Sequence, residues 1–131
     1  MNLTNQVEAT RDQFVDFIRN YPKNTPVAMM NTLKFKEKSG NADETGREAY
    51  KRYSKNMIEL LTKYGGKVLW SGNVQKTVIG DSTGQPDMFL VVEYPTAQHF
   101  ADMATCPEYQ TLKHDRLIAL EYGGLVATTT I

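Results

Sequence analysis

A second cysteine is missing from this sequence, and so is any surplus of charge. Cys106 is the single thiol. It has no partner for an intramolecular disulfide and no companion for a zinc knuckle, which leans the reading toward an intracellular protein. Fifteen basic residues balance 15 acidic ones, and no like-charge block or basic stripe supplies the electrostatic footprint of a nucleic-acid or anionic-membrane partner. No stretch approaches the roughly 20 apolar residues needed to span a bilayer. Met1 to Ala9 has neither the charged start nor the apolar core of a signal peptide. A soluble, cytoplasmic protein without nucleic-acid or membrane partners is the expectation.

Motifs that would name a reaction are also absent. His99 and His114 stand 15 residues apart, Cys106 is not spaced to join either, and no Glu-x-x-His unit occurs, so no metal site is expected. Gly65-Gly66 precedes a strand, whereas a phosphate cradle needs its glycines between strand and helix. No Gly-x-Ser-x-Gly elbow is present. We therefore expect no bound cofactor, no nucleotide site and no serine triad.

What is present is periodicity. At 131 residues the chain has room for one core. Val7, Phe14, Val15, Phe17 and Ile18 fall at roughly helical spacing before Pro22, predicting a leading amphipathic helix that ends near Asn20 and packs on the outside. Val27 to Phe35 reads as a strand whose two faces are both mostly apolar. Thr45 with Glu48 has capping-box spacing. Tyr50, Tyr53, Met57, Leu60, Leu61 and Tyr64 then recur at three- and four-residue steps until Gly65-Gly66 stops the helix.

Val68 to Ile79 is predicted as an extended strand with Val68, Trp70, Val74 and Val78 on one face, and Gly72 suits a bulge or a close approach. A turn over Gly80 to Asp87 leads into a second strand, Met88 to Tyr94, most economically paired antiparallel. Thr96 caps a further helix, Pro107 opens another reaching about Leu120, Gly123-Gly124 breaks it, and Leu125 to Ile131 is a last strand. There is no internal repeat, low-complexity tract or linker. The order β-α-β-β-α-β after a leading helix is the ferredoxin-like arrangement of α+β proteins, with residues 1–25 as a helical extension and 26–131 as the domain. A sheet covered by helices on one face should show polar alternation toward the other. Met88 to Val92 is apolar throughout, so a second copy is the simplest cover. Two such sheets face to face would form a barrel-like homodimer with a lumen in each subunit.

Met30-Asn31-Thr32-Leu33-Lys34-Phe35, Gly46-Arg47-Glu48-Ala49-Tyr50 with Tyr53, Gly65 to Gly72, Pro107-Glu108-Tyr109-Gln110 and His114-Asp115-Arg116 together resemble the bacterial family called domain of unknown function 1330, from about residue 26 to 130. The resemblance implies the dimeric α+β barrel group, similar in architecture to cofactor-free monooxygenases, muconolactone isomerases and heme-degrading enzymes. It implies a fold and a dimer but no reaction, since the family's activity is unassigned. Thr32 and Cys106 depart from the pattern, where an apolar residue and an aspartate are commoner.

Five residues are candidates for a site. Asn31 lies among apolar neighbours, where an unpaired amide costs about 1 to 3 kcal/mol, so it needs a partner in the protein or a ligand. Trp70 reads either as core or as a ligand platform, its indole N–H wanting an acceptor. Tyr50, Tyr53 and Tyr64 form the helix's apolar stripe, and Tyr53 is the one placed against a ligand. His114 and Arg116, two residues apart, cannot point the same way on a helix. Arg116 is read as a salt-bridge, dimer or ligand-binding residue. His114 is read as the pocket-edge residue that moves a proton, because an imidazole's reference pKa of about 6.5 suits neutral pH. Glu93 and Lys34 are ambiguous and His99 is expected at the surface. Two functions remain open: a cofactor-free enzyme of oxygenase or isomerase type acting on a small apolar or aromatic molecule, and a non-catalytic ligand-binding or purely structural dimer.

Overall fold

Polar side chains at the helix starts decide where the chain turns. Thr10 and Thr45 each accept from the backbone N–H three residues on, while Gln13 and Glu48 reach back to the N–H of the capping residue, so two helices open with a reciprocal capping box. Thr96 and the sulfur of Cys106 cap two more, the latter with Pro107 in its first turn. The computed structural model describes residues 1–131. In chain order it contains α1 (Arg11–Asn20), β1 (Val27–Phe35), α2 (Gly46–Lys63), β2 (Lys67–Asn73), β3 (Met88–Tyr94), α3 (Ala97–Thr105), α4 (Pro107–Ala119) and β4 (Leu120–Thr128).

The strands form one antiparallel sheet in the order β2-β3-β1-β4, which is the ferredoxin-like α+β topology expected from the element order. Odd-numbered residues of β1 face the helices: Val27, Met29, Leu33 and Phe35 join Tyr50, Met57 and Leu61 of α2, Val92 of β3 and Leu120 of β4 in the core. Even-numbered residues face the other way. There Met30 lies opposite Val91 and Val126, and Trp70 opposite Val91, making an apolar row across all four strands that no helix covers. Met30 and Phe89 are each 39% exposed. None of the eight helices and strands is a helix long and apolar enough to cross a membrane.

Arg52 joins three segments. Its guanidinium donates to both carboxylate oxygens of Asp115 on α4, at 3.0 and 3.1 Å, and also to Glu44 in the loop before α2. Glu44 is further held by Ser39 and Asn41. Hydrogen bonds from Arg52 and then Ser39 draw its carboxyl down from the usual 4.5 to about 2.

Two strands differ from expectation. The strand predicted over Val68 to Ile79 stops at Asn73; beyond it Val74 N–H donates to the Asp87 backbone carbonyl and the Gln85 amide oxygen accepts from the Thr77 N–H and hydroxyl, so isolated bonds rather than a continuous ladder hold this stretch. Within β2 the register shifts between Val68 and Trp70. Leu69 is the extra residue of a bulge, and one extra residue reverses the facing of all that follow. Val68 and Trp70 therefore do not share a face. Finally, Gly123-Gly124 does not break a helix but lies inside β4. A Cβ at Gly123 would come within 2.6 Å of the Arg116 guanidinium, and one at Gly124 within 2.6 Å of the Thr32 hydroxyl.

The first ten residues wrap the free edge of the sheet. Gly123 N–H donates to the Gln6 carbonyl at 2.8 Å, and Leu3 reaches the outer face beside Gly124, so this segment shields an edge strand that would otherwise present unpaired backbone. α1 then lies against α3, with the Phe14 ring tilted and the Phe17 ring edge-on to Phe100 at centroid distances of 6.4 and 5.8 Å, and buries none of its residues fully.

Thr32, on the outer face beneath this wrap, is half-buried, but its hydroxyl is sealed from solvent with no hydrogen-bond partner. An orphaned hydroxyl is more costly than an apolar group of the same shape. Thr32→Val should therefore raise stability by about 1 kcal/mol, measured by urea unfolding. A loss of stability would show that the hydroxyl is bonded.

Candidate functional site

The helices do not close tightly on the sheet. Between them lies a cavity of about 840 Å³ whose 37 lining residues are mostly hydrophobic, 23 of them, a size and chemistry suited to a small organic molecule. Its floor is the helix-facing side of the sheet, including Met29, Leu90 and Val92. Its wall is the buried stripe of α2, through Tyr50, Tyr53 and Met57, and its far side comes from α3 and α4 through Met103, Tyr109 and Arg116. Met29, Met57, Met88 and Met103, four of the chain's six methionines, line it; such side chains adapt their shape and make favourable contacts with aromatic rings.

Asn31 points into this space because β1 alternates. Its amide nitrogen donates to the carbonyls of Met29 and Leu90, both at 3.2 Å, so the protein supplies the partner that the sequence demanded for the donor side, while the amide oxygen carries no protein donor. Tyr53 also lines the cavity. Its hydroxyl meets that of Tyr109 at 3.5 Å, the outer limit of a hydrogen bond. Burial raises the Tyr53 hydroxyl well above its ordinary 10 and pushes Tyr50 up to about 12, against the opposing pull of Arg116 on each. At neutral pH these groups stay protonated and act as hydrogen-bond donors, not as bases.

Arg116 enters the cavity two turns beyond Tyr109 on α4. Its guanidinium donates to the carbonyls of Val7 and Gly123, and none of the chain's five ion pairs involves it. The neighbouring carboxylate, Asp115, is turned away onto Arg52. Of the readings open for Arg116, the salt bridge is not realised.

Two candidates are placed elsewhere. Trp70, 56% exposed, lies on the outer face with its ring folded across Gly72, because the bulge at Leu69 reversed its facing; it shares no pocket with Asn31. His114 is exposed on α4 and does not line the cavity. The helical spacing that separates it from Arg116 sends it outward once Arg116 points in, and this removes the geometric ground for giving it proton transfer in the cavity. Glu93 pairs with Lys67 and Lys34 with Asp87, and His99 is exposed, its ring bonded to Thr96. No group of three or more His, Cys, Asp or Glu side chains is gathered to hold a metal. The sequence reading did not single out Tyr109, although its seven-residue spacing from Arg116 puts both on one helical face. Val7, read from its spacing as part of the leading helix, lies before α1, which starts at Arg11, and residues 5–9, not expected at a site, border the cavity.

The family model described as domain of unknown function (DUF1330) matches residues 40–128, leaving β1 outside a match that the resemblance was expected to include. A solved structure of a protein of unknown function from Rhodopseudomonas palustris superposes with a TM-score of 0.89 at 28% identity, covering 98% of each chain, so the likeness extends through α1. A dimeric protein of unknown function with a ferredoxin-like fold from Bacteroides fragilis gives 0.57 at 13% identity over 80% of this chain and 96% of that one. A dimeric ferredoxin-like protein of unknown function from Thermobifida fusca gives 0.55 at 12% identity over 85% and 96%. These last two speak to the fold alone. No functionally curated protein matches the chain. With most of its length inside the family model and this fold around it, the chain belongs to the DUF1330 family.

Proposed function

We propose that the protein binds a small, largely apolar organic molecule in the cavity between sheet and helices, and that it does so as a homodimer joined through the uncovered face of the sheet. The cavity carries the first part. Its apolar floor, adaptable methionine lining and minority of polar side chains are the ordinary construction of a ligand pocket. Binding without catalysis is the reading we favour, since the cavity contains no imidazole, its one acid, Glu8, is exposed, and its tyrosines are held protonated.

The row formed by Met30, Val91, Val126 and Trp70 supports the second part. An apolar stripe on the open face of an antiparallel sheet calls for a cover. Packing against a copy of itself is the closed, symmetric way to supply one. Proteins of the same fold that are described as dimeric add support.

Light scattering at micromolar concentration should return twice 14.8 kDa, and Val91→Glu, which places a charge in the middle of the row, should shift the protein to the monomer mass. A wild-type monomer would remove the dimer from the proposal.

Occupancy of the cavity can be read from methionine methyl resonances. Acetophenone, a small aromatic carbonyl compound, should shift the signals of Met29, Met57, Met88 and Met103 and leave Met30 on the outer face unmoved. No shift, or one confined to Met30, would contradict the pocket.

A further inference from the structure

One end of the cavity brings a cation and several tyrosines together. Arg116 and Tyr109 on α4 face Tyr50 and Tyr53 on α2, whose rings lie 5.4 Å apart, while the sheet beneath is apolar apart from Asn31, Ser71 and the Tyr94 hydroxyl, and Lys113 and a set of N-terminal residues, Glu8 among them, supply further polar lining. Three features of this end are unusual for residues that serve only the fold.

The first is the state of the guanidinium. The carbonyls of Val7 and Gly123 orient Arg116 without neutralising it. Glu8 is the only acid among the lining residues against Lys113 and Arg116, and it forms no ion pair. A partly desolvated cation without a carboxylate is incomplete: a buried charge is ordinarily paired. Arg52 on the facing helix shows the contrast, with Asp115 and Glu44 both bound to it.

The second is Tyr50. It is 5% exposed, yet its hydroxyl has no partner in the protein. Since Thr32 is the only side chain with a sealed, unpartnered polar atom, the Tyr50 hydroxyl is not sealed and opens onto the cavity that its side chain lines. The third is the pair Tyr53 and Tyr109, whose hydroxyls at 3.5 Å satisfy each other only loosely and leave acceptor and donor capacity over.

We propose that this end is a carboxylate seat: the cavity takes a small monocarboxylate with an aromatic or aliphatic body, its two oxygens received by the Arg116 guanidinium and the Tyr50 hydroxyl. The apolar body then lies over Met29 and Leu90 and against Met57. A planar guanidinium matches a carboxylate with two parallel bonds, and tyrosines that stay protonated complete the donor set. The proposal rests on the reading that the cavity binds a small molecule, and adds the charge and the atom group by which that molecule is recognised.

Matched pairs of probes separate the two claims. Benzoate against benzamide, cinnamate against cinnamamide, and octanoate against octanamide differ in charge while keeping nearly the same shape. Affinities are read from the titration of the methionine methyl shifts. In the wild-type protein at least one carboxylate should bind about tenfold or more tightly than its amide, the worth of one charge-assisted hydrogen bond. Arg116→Met should bring that carboxylate to the affinity of the amide, with the amide unchanged. Because Arg116 also holds Val7, its variant can lose structure, so Tyr50→Phe serves as the second probe; it keeps the ring and should weaken the carboxylate several-fold and not the amide. Equal binding of acid and amide in the wild type would overturn the carboxylate seat and leave the pocket standing. A preference that survives both substitutions would overturn the assignment to these residues. Binding of no member of any pair would overturn the pocket and the seat together.

Discussion

Period-two alternation along four short strands divides the residues of the sheet between two chemically different surfaces. In β1 it sends Met29, Asn31 and Leu33 toward the helices and Met30 and Thr32 away from them. The interruption in β2 has consequences as large as the rule. Leu69 inserts one residue into β2, so Val68 stays on the cavity side while Trp70, the one tryptophan, is delivered to the open face. Had the strand run without a bulge, the indole would stand over the cavity and the outer row would lose its largest apolar member.

Two arginines on facing helices show how the same side chain is put to opposite uses. Arg52 is saturated by Asp115 and Glu44 and fastens α2 to α4 and to the loop that precedes α2. Arg116 comes one residue after Asp115, but the turn of α4 carries it to the cavity side, where only neutral carbonyls meet it. The helix pair is thus closed by one guanidinium at its outer side and left electrostatically open at its inner side. The division of labour follows from helical spacing, since adjacent residues on a helix point about 100° apart.

Much of the fold was legible because its signals are local. Thr45 with Glu48, Pro107 after Cys106, and the unbroken apolar run Met88 to Val92 each mark an element that the structure contains at that place. The bulge was not legible, because Leu69 is as apolar as its neighbours and nothing in composition distinguishes an inserted residue from a paired one. Gly123-Gly124 read as a helix breaker, since the reason for two missing side chains lies in Arg116 and Thr32, contacts that no local pattern contains. The same limit governed the site. Spacing established that His114 and Arg116 diverge, but which of them turns inward depends on the rotation of α4 against α2, and that is set by packing between distant segments. The part played by residues 1–10 depends likewise on pairing with β4 at the far end of the chain.

The central claim is that the space between sheet and helices, rather than the open face, is where a small molecule resides. A crystal structure of the protein soaked with benzamide, a neutral probe that makes no demand on Arg116, measures this most directly. The account predicts the ring enclosed between Met29 and Leu90 of the sheet and Met57 of α2. A cavity filled by its own side chains, or benzamide found only beside Trp70 on the outer face, would contradict it.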